Sequence, residues 1–327
     1  MPDPLPGAKT GTRATWHKDA PRGPRHDPAV LRVYAHDRFT FPVPDNHRFP
    51  LGKYALVRAL IAANPDVTIE EGPPASWEDV ARVHHPEWVR RVRYGLLDRR
   101  EQAGLGLPWS PALVTRALHS CGSTTAAGRA ALTDGVAAAL GGGMHHAGYR
   151  LGRGYCTFND VAIAIEALRS EGRVERALIL DLDVHQGDGN AELYAGDPDT
   201  IVVSLHGARN YPFTRPPSDL DIDLPDGTGD AGYLEALDEA LGFALAHGPY
   251  DLAVLIAGAD PFAGDALGRL ALTPEGLAER DRRAIGALRA AGIPVCVTLA
   301  GGYGRPLEAT AAIHAATIAA AAARASA

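Results

Sequence analysis

Thirteen residues, 177–189, read ALILDLDVHQGDG and constrain this chain more than any other stretch. Residues 177–180 are apolar throughout, which suits a strand buried on both faces. Beyond them Asp181, Asp183 and His185 alternate with Leu182 and Val184. In an extended segment successive side chains point to opposite sides, so these three share one side. Two carboxylates and an imidazole where a buried strand ends make half of a metal site. Gly187 and Gly189 are expected to let the chain leave the sheet around Asp188.

Strands and helices alternate around that stretch. Apolar runs predict strands at 31–34, 67–70, 200–205, 252–257 and 294–299. Helices are expected at 53–63, 77–83, 86–97, 110–140, 159–170, 232–247 and 274–291, with an alanine-rich one at 309–327. Pro86 suits a first helical position and Asn159 an N-cap. His84 and His85 are assigned to a helix N-terminus, and the arginines at 90, 91, 93, 99 and 100 to a solvated helix face. Residues 219–230 resemble a calcium loop but have Leu224 where glycine is required and Asp230 in place of a bidentate glutamate, so a short exposed strand before a turn is expected. The fold class that follows is α/β: a single-domain three-layer fold with a central, mainly parallel sheet and helices on both faces. The catalytic domain is placed at 29–327, after an irregular Pro-, Gly- and Arg-containing arm at 1–28.

The chain is 46% hydrophobic and 22% charged, with a formal net charge of −7. That balance argues against a nucleic-acid partner and against an anionic membrane surface. Neither terminus carries the apolar run of a leader or a membrane span. Three cysteines, an odd number set far apart, favour free thiols and a reducing, cytoplasmic compartment. The Ala, Arg and Gly bias points to a bacterial source.

In a parallel sheet covered on both faces, ligands sit beyond the carboxyl ends of the strands. The polar clusters of this chain fall there. His145 and His146 follow three glycines, 141–143; Asp181, Asp183, His185 and Asp188 follow the central strand; Asp260 follows LAVLIAGA and Tyr303 follows VCVTLAGG. Asp183, His185 and Asp260 are expected to bind one divalent ion, Zn2+ most simply, with Fe2+ or Mn2+ also suited to the donor set. His145 and His146 point to general acid–base work on a metal-bound water. Asp181 and Asp188 are left over to accept an imidazole N–H each. Tyr303, between glycines, would donate a hydrogen bond to an oxyanion. These parts describe amide hydrolysis, and no serine elbow, P-loop, dinucleotide fingerprint or H-E-x-x-H sequence competes with them.

The motifs GGMHHA, GYCTFND, LDLDVHQGDG, VVSLHG, AGADPFAGD and LAGGYG, in this order, resemble the zinc-dependent histone deacetylase superfamily, which shares its fold with arginases. HRFPLGKY (47–54) and LPDGTGD (224–230) are similar to the class IV branch and its bacterial relatives. The resemblance implies Asp183, His185 and Asp260 as zinc ligands, His146 as general base and acid, and His145 as its electrostatic partner. It implies Asp181 and Asp188 as the carboxylates that orient the histidines, and Tyr303 as the carbonyl polariser. It also implies a structural K+ bound by Asp181, Asp183, His185, Ser204 and Leu205, partly through main-chain oxygens. Tyr155 matches one aromatic wall of an acyl-lysine tunnel, Tyr211 or Phe213 the facing wall, Leu267 a lining position and Gly302 the glycine floor. Tyr155 stands where phenylalanine is usual.

The function that follows is a metal-dependent deacylase acting on an acylated lysine peptide or a small acylated amine. A di-manganese ureohydrolase of the arginase type and a non-catalytic acyl-lysine binding module are the alternatives.

Overall fold

The computed structural model describes residues 30–44 and 47–325, so the arm expected at 1–28 lies outside the described residues. Eight strands form one sheet: β1 (Leu31–Ala35), β2 (Val67–Glu71), β3 (Val136–Ala139), β4 (Ala177–Asp181), β5 (Thr200–Gly207), β6 (Leu220–Leu224), β7 (Leu252–Ile256) and β8 (Val295–Thr298). Their order across the sheet is β2-β1-β3-β8-β7-β4-β5-β6, and every paired neighbour runs parallel.

Ten helices cover it: α1 (Lys53–Ile61), α2 (Trp77–Val83), α3 (Pro86–Tyr94), α4 (Arg99–Leu105), α5 (Pro111–Asp134), α6 (Asp160–Ser170), α7 (Asp188–Leu193), α8 (Asp230–Ala246), α9 (Pro274–Ala290) and α10 (Leu307–Ala325). Helices α2, α3, α5, α6 and α7 pack among themselves, and α1, α8, α9 and α10 among themselves, giving one layer on each face. Strands β3, β4, β7 and β8 are buried at every residue, as a sheet covered on both sides requires. Edge strand β6 is mostly half-buried, in keeping with its alternating aspartates. None of the described helices is long and apolar enough to cross a membrane.

Three expectations change. The helix expected at 110–140 stops at Asp134, and Val136–Ala139 forms β3 in the middle of the sheet. Gly135, at φ 87°, ends the helix, and its N–H still reaches Ala131 O. Alanine favours helix intrinsically, but hydrogen bonding to β1 and β8 outweighs a propensity of a few tenths of a kcal/mol per residue. The helix expected at 86–97 ends at Tyr94 with Gly95 left-handed at φ 69°, and α4 follows with a capping box between Asp98 and Glu101. The extended run expected through His185 ends at Asp181, and residues 183–185 are bends.

Candidate active site

Registers across the middle of the sheet bring four strand ends level: Ala139 pairs with Thr298, Thr298 with Ile256, and Ile256 with Asp181. Each strand then releases a short polar segment over the same edge. After β3 come the three glycines and His145-His146; after β8, Gly301 and Tyr303; after β7, Asp260; after β4, Asp183 and His185. Four segments far apart in sequence thus meet at one place.

Asp183, His185 and Asp260 are gathered so that one ligand atom from each lies within 4.8 Å of the others. His185 Nδ1 is 2.9 Å from Asp183 Oδ1 and 3.3 Å from Asp260 Oδ2. Asp183 is oriented by backbone donors, accepting the His185 N–H at 3.0 Å and the Gly301 N–H at 2.8 Å. Asp260 Oδ1 accepts the Val184 N–H at 2.9 Å, while Oδ2 is buried with no well-aligned donor. A buried carboxylate oxygen without a donor is costly unless a cation completes it. The glycines around the cluster are needed for close approach. A Cβ on Gly301 would lie 1.9 Å from Asp260 Oδ2 and 2.5 Å from Asp183 Oδ2, and one on Gly258 2.5 Å from Asp183 Oδ2. Burial and the neighbouring Asp183 push Asp260 up to about 7. Burial works against a charged His185, but Asp183 and Asp260 outweigh it and hold it up to about 10. The pocket therefore favours positive charge, and its donor set suits a divalent ion.

The two histidines of the glycine loop are paired with separate aspartates. His145 Nδ1 is 2.7 Å from Asp181 Oδ2, and His146 Nδ1 2.6 Å from Asp188 Oδ1. Their rings are 4.1 Å apart. Burial lowers both pKa values, yet the outcomes diverge. Asp181 and Asp183 outweigh burial at His145 and raise it to about 9. Burial and the adjacent His145 outweigh Asp188 at His146 and lower it to about 4. The surroundings thus favour the charged form of His145 and the neutral form of His146, whose Nδ1 faces Asp188. Gly187 and Gly189 have a different role from the expected one. The Gly187 backbone is at an ordinary φ of −74°. A Cβ there would strike Asp181 Oδ2 at 2.4 Å, and one on Gly189 would strike Ala147 O at 2.5 Å.

Asp183 and His185 of the cluster line a cavity of about 530 Å³. Tyr155, Tyr211, Phe213, Leu267 and Tyr303 line it; of the two adjacent glycines, Gly301 lines it and Gly302 does not. Tyr155 has φ 68°, the one non-glycine positive φ among the described residues. Its ring lies 6.0 Å from Tyr303 and 5.5 Å from Phe49. Tyr211 packs edge-on against His146 at 5.0 Å, whereas Phe213, 88% exposed, stands at the rim. Burial, reinforced by Asp183 and Asp260, holds the Tyr303 phenol well above its usual pKa, so it remains an O–H donor. For the expected K+ set, Asp181 lies opposite Ser204 in register. Ser204 Oγ is engaged with His206 Nδ1 at 2.9 Å, so ligation there would fall to main-chain oxygens.

Several supporting residues carried no signal in the sequence. Asp160 accepts the Gly143 and Met144 N–H groups at 3.0 and 2.6 Å and so holds the glycine turn. Arg153 ion-pairs with Asp188 at 2.7 Å. Lys53, buried, donates to Ala300 O at 2.8 Å. Arg280 donates to Leu182 O at 3.1 Å and Gly258 O at 2.7 Å, tying the two ligand-bearing loops together. Of the other histidine pair, His85 caps α3 as expected. His84 instead is buried, its Nδ1 facing Gly148 O and its Nε2 accepting the Asn159 N–H, both at 2.9 Å.

This fold and cluster define a protein of the arginase/deacetylase α/β class. The histone deacetylase domain model matches residues 47–321. An uncharacterised protein of Picosynechococcus sp. is 38% identical over 84% of this chain and 93% of its own length. A probable deacetylase of Archaeoglobus fulgidus is 33% identical over 64% of this chain and 62% of its own. A crystal structure of an HDAC homologue complexed with SAHA superposes with a TM-score of 0.74 over 89% of this chain and 84% of that one, at 23% identity. The chain belongs to the histone deacetylase family.

Proposed function

We propose that the chain is a metal-dependent deacylase that hydrolyses the amide of an acylated amine. The observation that carries this is the placement of two adjacent histidines, His145 held by Asp181 and His146 held by Asp188, beside the Asp183/His185/Asp260 cluster. Those three residues would hold the ion, Zn2+ or Fe2+, which supplies Lewis acidity toward a carbonyl and lowers the pKa of water. His146 Nε2 takes the proton of the attacking water while Asp188 keeps the Nδ1–H in place, and His146 then returns that proton to the departing amine. His145, held charged by Asp181, adds fixed positive charge to the site where negative charge develops. The Tyr303 hydroxyl donates to the tetrahedral oxygen, and the apolar flanks of Tyr155 and Tyr211 hold the alkyl chain of the amine. The structural K+ of the expected set belongs to this reading as a support for β4 and β5.

Among the described residues Asp183, His185 and Asp260 are the one group of three or more such side chains close enough to share an ion. That favours a single-metal deacylase over an arginase-type pair of metals. The test is hydrolysis of acetyl-lysine peptide, acetylpolyamine and long-chain acyl-lysine peptide by metal-depleted protein, with and without added Zn2+ or Fe2+. Metal-restored release from any of them supports the reading. Stoichiometric metal uptake with no release from all three would overturn it in favour of a binding module.

A further inference from the structure

The mouth of the cavity has the opposite sign to the molecule. The chain carries a formal net charge of −7, yet Arg48, Arg209 and Arg269 line the cavity. Beside it opens a hollow of about 260 Å³ that shares Arg48, Leu267 and Tyr303 with the cavity and adds Arg305. All four arginines are exposed. Two of them share one carboxylate: Asp226 is 3.9 Å from Arg209 and 3.3 Å from Arg269. Among the described residues neither Arg48 nor Arg305 has an ion-pair partner. The cavity's own carboxylate, Asp183, lies at the metal end. Asp265, next to the hollow in sequence, spends its oxygens on the N–H groups of Leu267, Gly268 and Tyr303.

Arg48, Arg209, Arg269 and Arg305 outnumber the two carboxylates beside them, Asp226 and Asp265, and leave the opening cationic, and the low-dielectric walls of a cleft focus such a field toward an approaching ligand. A polycation would bring its ammonium groups against like charge. A carboxylate would find planar donors able to hold both of its oxygens, and among the described residues Arg48 and Arg305 have no ion pair to give up. We infer that the site selects acyl-lysine within an acidic peptide segment, that a flanking carboxylate is received in the hollow between Arg48 and Arg305, and that acylated polyamines are disfavoured. Arg48 and Arg305 are thus specificity-determining residues. This rests on the deacylase reading, since it places the acyl group in the cavity.

The test uses the full, Zn2+-loaded chain with fluorescein-labelled acetyl-lysine peptides flanked by glutamate, alanine or lysine, and with acetylspermidine. Both kcat/KM and direct binding by fluorescence anisotropy are measured. At low ionic strength the acidic peptide should exceed the basic one roughly tenfold in both. In 0.5 M salt the ratio should shrink to about twofold. The R48Q/R305Q double variant should shrink it similarly at low salt, with a folded-state melting curve as control. Equal binding of the three peptides, or a preference for the basic peptide or acetylspermidine, overturns the inference. Acidic preference in binding without turnover of any peptide supports it while sinking the deacylase reading, and turnover blind to flanking charge does the reverse.

Discussion

Asp188 holds His146 by its Nδ1 at 2.6 Å across 42 residues of chain. Its other oxygen is 2.7 Å from Arg153 Nε, so the carboxylate is fixed from two sides. The contact leaves His146 Nε2 as the open base. His145, the next residue along, makes nearly the same contact with Asp181, yet its pKa is pushed up and not down. The difference is the second carboxylate: Asp183 Oδ1 is 3.9 Å from His145 Nε2.

His146→Ala should therefore lower kcat on the order of 100- to 10,000-fold, the usual contribution of a positioned general base. Asp188→Asn should cost roughly 10- to 100-fold by releasing the imidazole's orientation. Steady-state kinetics with metal content measured in parallel checks both. Unchanged kcat in His146→Ala would remove this histidine from the mechanism.

Tyr303→Phe deletes one hydroxyl and leaves the ring that faces Tyr155 at 6.0 Å. A donor that acts chiefly on the tetrahedral oxygen should show in kcat, with a loss of about 100- to 1,000-fold and little change in KM. A loss confined to KM would mean that the phenol only binds substrate.

Gly301→Ala tests the metal cluster without removing a ligand. Its added Cβ would lie 1.9 Å from Asp260 Oδ2 and force the two carboxylates apart. Metal affinity should fall roughly 10- to 100-fold, as for other disturbances of groups that orient ligands. Thermal stabilisation by added Zn2+, about 4 kcal/mol at a thousandfold excess over Kd in the unaltered protein, should shrink with it. Equal Zn2+ titrations of the two proteins would refute the assignment.

His84 makes stability fall in acid. Burial lowers its pKa from 6.5 to about 4, outweighing the Gly148 O contact, which raises it, and a second ring proton would face the Asn159 N–H. The unfolded chain, with the higher pKa, takes up the proton first as pH drops. The contribution is thus complete above pH ~6.5 and is lost between 6.5 and about 4, amounting to about 3 kcal/mol. Urea melts from pH 4 to 7 should show this slope, and His84→Gln should remove that part of it. An identical slope in the variant would locate the titration elsewhere.

Much of the site was legible because its signals are local. The motif at 177–189, the glycines before His145 and the apolar runs before Asp260 and Tyr303 each declare a strand end with chemistry on it. What was not legible came from packing. VAAA at 136–139 carries no strand signal of its own and becomes one through hydrogen bonds to β1 and β8. Tyr155 has φ 68°, and its N–H is tied to Leu105 O, 50 residues away in the chain. Arg280 resembles any other arginine of an amphipathic helix until its carbonyl partners are seen.

The residue types and short spacings, which rest on side-chain chemistry and on helix and strand periods, determined that this chain makes a parallel α/β sheet with ligating and basic groups at its strand ends. The order β3-β8-β7-β4 was decided only in the tertiary structure. Strand order depends on which apolar faces the two helix layers can bury together, a non-local balance that no single segment encodes. It is that order which sets Asp183, His185, His146 and Tyr303 around one cavity, with Asp260 against the first two.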